Sequence, residues 1–178
     1  MLTGSPVISA YSHIQEPPEL YEQWLAMKYR HRTSRTTIDS EGAVYRVIDG
    51  KRPLQIDIAE SRVTDDDQNR EFRDDPSGGR DIGKRLLDQD RDGICAEVIY
   101  PNQSLFLYNS PDAGYQLALA RAYNTWLWEL VASNKNRFAP VAIIPVADLD
   151  GAVAEAQHIA KLGYKALKIP ITMTDRPY

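Results

Sequence analysis

The chain has 178 residues, of which 43% are hydrophobic and 26% are charged, and its formal net charge is −4. This length is sufficient for one domain with a sizeable core, and the composition is ordinary for a globular protein. The sequence shows no basic face, so nucleic-acid binding has no electrostatic support. No apolar run approaches the roughly 20 residues needed to span a bilayer, so a membrane partner is not expected.

The N-terminus and the cysteine content bear on the cellular compartment. Residues 1–6 lack the basic and apolar regions of a signal peptide. The single cysteine, Cys95, excludes an internal disulfide framework and is typical of a reducing cytoplasm. Because Cys95 lies within an apolar run, we expect it to be a buried structural thiol. We therefore expect the protein to be cytoplasmic.

Short apolar segments predict the strands of one parallel sheet. They are largely apolar rather than strictly alternating, as is typical of strands buried on both faces. Helical patterns separate the later strands, which predicts βαβ units with right-handed crossovers. No dinucleotide-binding or Walker-type phosphate loop follows a strand, so a nucleotide-binding fold is disfavoured. The four predicted strands cover residues 7–10, 94–100, 140–146 and 166–171.

Three helices are predicted to accompany these strands. Residues 80–93 form a helix that leads into the second strand. Ser110 is predicted to cap the next helix, with Pro111 at its first position. Asp148 is predicted to cap a third helix, which Gly163 ends. The residues expected on the buried face of this third helix are Leu149, Ala152, Val153, Ala156, Ile159 and Ala160.

A long segment interrupts the rhythm after the first strand. Residues 43–57 contain two strand-like runs around Asp49 and Gly50, which is a β-hairpin signal. The acidic run at residues 65–67 lacks EF-hand spacing and is predicted to be a solvated loop. A complete (β/α)8 barrel needs roughly 250 residues. We therefore predict an α/β fold over residues 1–178. It is a single partial domain, the N-terminal half of a TIM barrel with about four parallel strands and a hairpin-containing insertion at about residues 14–80.

Several blocks of the sequence resemble the amidohydrolase-related barrel proteins (amidohydrolase family 2). This group contains aminocarboxymuconate-semialdehyde decarboxylase. The resemblance covers most of the chain, and it implies an N-terminal fragment of a metal-dependent hydrolase or non-oxidative decarboxylase. The implied substrate is a small carboxylated or aromatic compound. The blocks that carry the resemblance are ISAYSHIQEPPELYEQW, EVIYPNQSLFLY, ARAYNTWLWEL, RFAPVAIIPVADLDGAVAEA and GYKALKIP.

The resemblance also implies a divalent metal, often zinc, at the C-terminal mouth of the barrel. In this family, a histidine at the end of strand 1 and an acidic residue or histidine two positions earlier supply two ligands. His13 matches that histidine, and Tyr11 occupies the partner position. Residues two apart on a strand point to the same side, but a phenol with a pKa of about 10 is a poor zinc ligand. The other ligands and the general acid or base are expected beyond Tyr178.

The strand ends also suggest a binding role for neighbouring residues. Ser12 and Asn102 are predicted to contact a small-molecule substrate, and Tyr11 is predicted either to hydrogen-bond a bound carboxylate or simply to cap the site. His31 has no partner at a useful spacing and is predicted to be a surface residue. His158, on the third predicted helix, is predicted to be a partly exposed surface residue. Open edges at the first and fourth strands predict self-association. The alternative function is that of a catalytically inactive truncated paralogue, or half-barrel, that acts only by association.

Overall fold

The computed structural model forms two compact units. One comprises Met1–Arg30 and Ser77–Tyr178, and the other comprises His31–Pro76. Each unit has a sheet of its own. The structure describes residues 5–33, 35–41, 43–47, 49, 54–55 and 76–170.

The helices and strands have the following bounds. The strands are β1 (Val7–His13), β2 (Arg35–Ile38), β3 (Val44–Val47), β4 (Leu54–Gln55), β5 (Ile94–Tyr100), β6 (Phe138–Ile143) and β7 (Ala166–Lys168). The α-helices are α1 (Pro18–Trp24), α2 (Ile82–Asp92), α3 (Ala113–Val131) and α4 (Leu149–Leu162). Shorter 3-10 helices cover Met27–Arg32, Pro76–Gly79, Gln103–Asn109 and Ala132–Asn134.

The first unit is a four-stranded sheet in the order β1-β5-β6-β7, and every neighbouring pair is parallel. Helices follow the strands as in successive βα units, so the predicted α/β half-barrel fold is confirmed. The strand bounds differ in detail. β1 continues to His13, β6 begins at Phe138, and β7 ends at Lys168. Among the described residues, no helix has the length and apolarity required to cross a membrane.

One apolar core joins the sheet to α1 and α3. Tyr123 and Leu127 of α3 are fully buried, as is Ile99 of β5. The Tyr123 hydroxyl donates to the carbonyl of Val141 at 3.4 Å. Burial raises the pKa of Tyr123 well above its ordinary value, so the side chain is a neutral donor.

Helix α3 begins two residues later than the sequence predicted. Asp112 is the N-cap, and its carboxylate accepts from the Tyr115 N–H at 3.0 Å. Ser110 instead follows the preceding 3-10 helix and donates its N–H to the Leu107 carbonyl at 3.1 Å. An N-cap side chain accepts from a backbone N–H group of the first helical turn, and Asp112 rather than Ser110 does so here. The cap at Asp148 and the left-handed end at Gly163 (φ 112°) are as predicted.

The buried face of α4 differs from the predicted one. Leu149 and Val153 are 77% and 49% exposed, whereas Glu155, which was not predicted there, is fully buried. Ile159 is buried as predicted, at 3% exposed. The helix turns Glu155 towards α3, where its two carboxylate oxygens accept from Asn124 and Arg121, each at 2.9 Å. The buried face of α4, which periodicity predicted to be apolar, therefore includes a carboxylate whose two oxygens are both hydrogen-bonded.

The prediction that Cys95 is buried is wrong, because its side chain is exposed. The pairing of β1 with β5 explains this. Val7 is opposite Ile94, but the next residue, Ile8, is opposite Ala96. Cys95 is thus the extra residue of a β-bulge, and bulges displace a strand from regular packing.

The second unit contains a three-stranded antiparallel sheet in the order β2-β3-β4. The pairing of β3 with β4 confirms the predicted hairpin, and β2 adds a strand that the sequence did not predict. Asp49 follows β3 with a φ of 53°, and its carboxylate accepts from Arg32 at 2.5 and 3.1 Å. The acidic run at residues 65–67 lies outside the described residues.

Asn124 supports a stability prediction. Its amide accepts from the Ile143 N–H at 2.9 Å and donates to the Ile143 carbonyl at 2.8 Å as well as to Glu155. Asn124→Leu leaves these buried groups without partners, so we expect the free energy of unfolding to fall by about 2–4 kcal/mol. Urea denaturation followed by circular dichroism measures the change. The matched control is Asn136→Leu at an exposed position, and equal midpoints for the two variants would contradict the prediction.

The two outer strands of the parallel sheet leave apolar surface uncovered. Ile8 and Tyr11 on β1 are 58% and 73% exposed, and Leu167 on β7 is 45% exposed. Within the described residues, β1 pairs with β5 and β7 pairs with β6, so each has one free edge. Such edges are templates for pairing with another strand. We propose that, in the isolated 178-residue chain, a second copy covers them, with β7 of one copy beside β1 of the other. A two-fold axis along the strands keeps all strands parallel and makes the two junctions identical.

We expect the purified chain to dimerise and a charge on either edge to prevent it. Ile8→Lys and Leu167→Lys should each shift the mass measured by light scattering towards that of the monomer, since an edge lysine opposes strand pairing. Leu87→Lys on α2 is the control, because Leu87 is 68% exposed but lies on a helix. A compact wild-type monomer at high concentration would refute the proposal.

Candidate functional site

The candidate site lies where β1 and β5 end. All strands of this sheet are parallel, so their carboxyl ends meet at one edge, which is where barrel enzymes place their chemistry. His13 is the last residue of β1 and Tyr100 is the last residue of β5. The two residues are partners in the strand register. The pairing therefore brings an imidazole and a phenol together from segments far apart in the sequence.

The ring of His13 is oriented by one hydrogen bond. Its Nδ1 lies 2.8 Å from the carbonyl oxygen of Pro101. A carbonyl only accepts, so in the neutral ring the proton sits on Nδ1 and the lone pair is on Nε2. Metal-binding histidines commonly have this arrangement, in which a backbone carbonyl fixes the tautomer. The geometry leaves Nε2 as the atom of His13 that can bind a cation or accept a proton.

Two tyrosine rings flank His13. The Tyr11 ring meets His13 edge-on, with centroids 4.9 Å apart and an interplanar angle of 85°. Tyr100 lies 6.1 Å from His13 and 5.3 Å from Tyr11, between ring centroids. Edge-on and tilted aromatic pairs at these distances are favourable. Because Tyr11 is 73% exposed, its phenol can also reach a ligand at the strand ends.

A bulge in β1 positions the residues just before His13. Ser9 is opposite Glu97 and Ser12 is opposite Ile99, so three steps along β1 match two along β5. The Ser9 and Ser12 hydroxyls are 2.9 Å apart across this bulge. Bulges beside active sites often re-aim side chains. Here the hydrogen bond engages the Ser12 hydroxyl, which the sequence had suggested for substrate binding.

Glu16 fastens the loop after β1 to the loop after β5. Its side chain is 2% exposed, and its carboxylate accepts from three consecutive backbone N–H groups. The distances are 3.0 Å from Asn102, 2.9 Å from Gln103 and 3.0 Å from Ser104. A carboxylate that accepts several backbone amides makes strong, charge-assisted hydrogen bonds. Glu16 thereby begins the 3-10 helix at Gln103–Asn109 and sets the path of the chain beside His13.

Arg85 of α2 holds the end of β1 against β5. Its Nε donates to the Glu97 carboxylate at 2.6 Å, and its Nη1 donates to the carbonyls of His13 and Gly78, each at 3.1 Å. The Arg85 and Glu97 side chains are 11% and 12% exposed. A buried pair of this kind is stable only when its remaining polar atoms have partners, and the two carbonyls supply them.

The predicted site residues are only partly brought together. His13 and Tyr11 are in contact, and Ser12 adjoins them with its hydroxyl on Ser9. Asn102 lies in the loop after β5, where its side chain is exposed and its backbone N–H donates to the Glu16 carboxylate. Of the other histidines, His31 is exposed and His158 is half-buried on α4.

Sequence reasoning missed Glu16 and Arg85. Glu16 stands between an apolar strand and Pro17-Pro18, which is a signal for a residue held in a rigid turn. Arg85 lies in a helix with many charges, and nothing in the local pattern distinguishes it from its solvent-exposed neighbours. Both residues act on segments distant in the chain, so their roles follow from the tertiary structure.

The residues present do not make a complete metal site. Among the described residues, no three His, Cys, Asp or Glu side chains are grouped so that they could hold a metal ion. The carboxylates of Glu16 and Glu97 are taken by backbone amides and by Arg85. A catalytic zinc commonly has three protein ligands. The described part of the chain offers a metal ion one candidate ligand, His13.

Glu16 supports a second stability prediction. Glu16→Gln replaces one acceptor oxygen with an NH2 group that faces backbone donors, so we expect a loss of about 1.5–3 kcal/mol. Urea denaturation measures it, and hydrogen exchange of the Asn102 and Ser104 amides should become faster. Glu22→Gln, at an exposed position of α1, is the control. Unchanged stability and unchanged exchange would show that Glu16 does not hold this loop.

Comparison with known proteins shows the fold. No protein family and no curated protein matches the sequence. Among solved structures, an amidohydrolase from Mycobacterium avium subsp. paratuberculosis is similar, with a TM-score of 0.65 and 19% identity over 90% of this chain and 48% of that one. The 2,6-dihydroxybenzoate decarboxylase from Rhizobium is similar with a TM-score of 0.50 and 19% identity over 92% of this chain and 38% of that one. The chain spans about half the length of the amidohydrolase and less than half the length of the decarboxylase. It has the fold of half of such a barrel.

Proposed function

We propose that this chain supplies the first half of a metal-dependent barrel enzyme of the amidohydrolase superfamily. The reaction is hydrolysis or non-oxidative decarboxylation of a small carboxylated or aromatic compound. The half-barrel fold and its likeness to an amidohydrolase and a decarboxylase support this proposal. The family resemblance of the sequence around His13 supports it independently of the fold.

The orientation of His13 is the observation that carries the proposal. Its Nδ1 bond to the Pro101 carbonyl leaves the Nε2 lone pair available at the carboxyl end of β1. A histidine held in this way is suited to bind a divalent metal, which in such enzymes polarises substrate or activates water. His13 is the ligand that this chain offers, and the remaining ligands and the general acid or base belong to the other half of the barrel.

The substrate contacts proposed for this half are Ser12, Asn102 and Tyr11. Asn102 is exposed in the loop after β5, so its amide is free to meet a ligand at the mouth. The Tyr11 phenol can donate to a carboxylate, a role that a ligand aspartate in its place could not perform. We further propose a cytoplasmic location, since a chain with one cysteine has no internal disulfide to maintain.

A second candidate is a half-barrel that acts only by association. Tyr11 favours this reading, because a neutral phenol stands two residues before His13 where the resembling family has a metal ligand. The exposed apolar side chains of β1 and β7 favour it as well. Under this reading the chain binds a partner through its sheet edges, and His13 has no role in catalysis.

Zinc titration tests the role of His13. We expect no tight stoichiometric binding by the wild-type chain, since one neutral imidazole cannot offset the loss of the ion's hydration. Tyr11→Asp places a carboxylate two residues from His13 on the same strand and should raise zinc affinity by about tenfold, from the added charge attraction. Isothermal titration calorimetry measures both affinities. No turnover is expected from either protein, because the described residues supply fewer ligands than the three that a catalytic zinc commonly has.

Two further variants complete this experiment. Tyr11→Asp/His13→Ala should lose the gained affinity, whereas Tyr11→Asp/His31→Ala should keep it, since His31 is an exposed histidine of the second unit. If the wild type binds one zinc tightly and His13→Ala leaves that binding unchanged, the metal site is elsewhere. The assignment of His13 would then be wrong.

A further inference from the structure

A second concave site lies between helices rather than at the strand ends. It is a cleft of about 410 Å³ between the first turns of α3 and the segment that follows α1. This volume is within the range of pockets that hold small molecules. None of the strand-end residues Tyr11, Ser12, His13 or Asn102 lines it. The residues that line the cleft are Trp24, Ala26, Lys28, Tyr29, Gly114, Leu117, Ala118 and Arg121.

Aromatic and small apolar side chains form the walls of the cleft. Trp24 is 37% exposed, so part of its ring is available to a ligand. Tyr29 lies close to α3, and a Cβ atom at Gly114 would be only 2.6 Å from the Tyr29 hydroxyl oxygen. The glycine therefore permits the tyrosine to approach the helix and close that side of the cleft. The small Ala118 leaves the space between the rings and α3 open.

Two cations line the same cleft. Lys28 lies in the 3-10 helix after α1, and its Nζ is 4.6 Å from the centroid of the Tyr29 ring. Arg121 lies on α3, and its side chain is 49% exposed. None of the described residues that line the cleft is acidic. Both charged side chains in the lining of the cleft are therefore cationic.

The guanidinium of Arg121 is fixed in place. Its Nε donates to the buried carboxylate of Glu155 at 2.9 Å, and the other oxygen of that carboxylate accepts from Asn124 at 2.9 Å. This ion pair uses Nε, and the two Nη atoms lie outside it. A guanidinium held on one side is pre-organised to bind a carboxylate on the other, because less side-chain entropy is lost.

We propose that this cleft binds a small organic anion with an apolar ring, of the aryl carboxylate class. The ring packs against Trp24 and Tyr29, and the carboxylate faces Lys28 and Arg121. The site goes beyond the proposed function, because it is separate from the strand ends and needs neither His13 nor a metal.

Benzoate is the probe, with benzamide as its neutral counterpart and sulfate as an anion without a ring. We expect benzoate to bind the full chain more tightly than either, as measured by calorimetry and by the change in tryptophan fluorescence. Lys28→Glu should weaken benzoate binding about fivefold, the size of effect that an exposed charge pair supports. Ala118→Trp should abolish binding, because the new ring fills the cleft.

The matched control is Lys135→Glu. Lys135 follows α3 at its far end, and its Nζ is 4.5 Å from the ring centroid of Trp128, so it has the same kind of contact as Lys28 but away from the cleft. This variant should bind benzoate like the wild type. Lys28 is exposed, so its replacement leaves the fold intact even if Ala118→Trp does not fold. Equal binding of benzoate and benzamide, no binding by the wild type, or an unchanged affinity in Lys28→Glu would each overturn the proposal.

Discussion

The buried guanidinium of Arg85 joins three segments that are distant in the chain. It reaches the carboxylate of Glu97 in β5, the last carbonyl of β1 at His13 and the carbonyl of Gly78 before α2. The whole second unit lies between β1 and α2 in the sequence, so closing this loop costs chain entropy. A buried cation whose donors meet a carboxylate and two carbonyls helps to offset that cost and specifies the alignment of β1 with β5.

The candidate site at the strand ends depends on this alignment. Once β1 lies in register with β5, His13 is beside Tyr100 and its Nδ1 reaches the Pro101 carbonyl. Glu16 then meets the amides that open the loop after β5. The orientation of the imidazole is therefore a property of the sheet pairing and not of the histidine's own neighbours in sequence.

Buried polar side chains organise the helical layer in a similar way. Asn124 bonds both backbone groups of Ile143 at the end of β6. Gln116 accepts from the N–H groups of Val146 and Ala147 at 2.9 and 3.1 Å, and donates to the Ser110 carbonyl at 2.6 Å. These amides satisfy the backbone where strands give way to loops, which a purely apolar helix face could not do. The same network holds Glu155 and, through it, Arg121 at the cleft.

The sequence by itself determined the order of the four parallel strands and of helices α2, α3 and α4, the half-barrel class, the hairpin and the caps at Asp148 and Gly163, but not α1 or β2. These depend on local periodicity and on backbone preferences of single residues, which act within a few positions. Only the tertiary structure decided that Glu155 is buried, that Cys95 is exposed, and that Glu16 and Arg85 hold the site. A charged side chain can be buried only when distant partners satisfy it, and a bulge arises only from the register of two strands. The neighbouring residues in the sequence predict neither the partners of a buried charge nor the register of two strands, because both depend on segments that meet only in the folded chain.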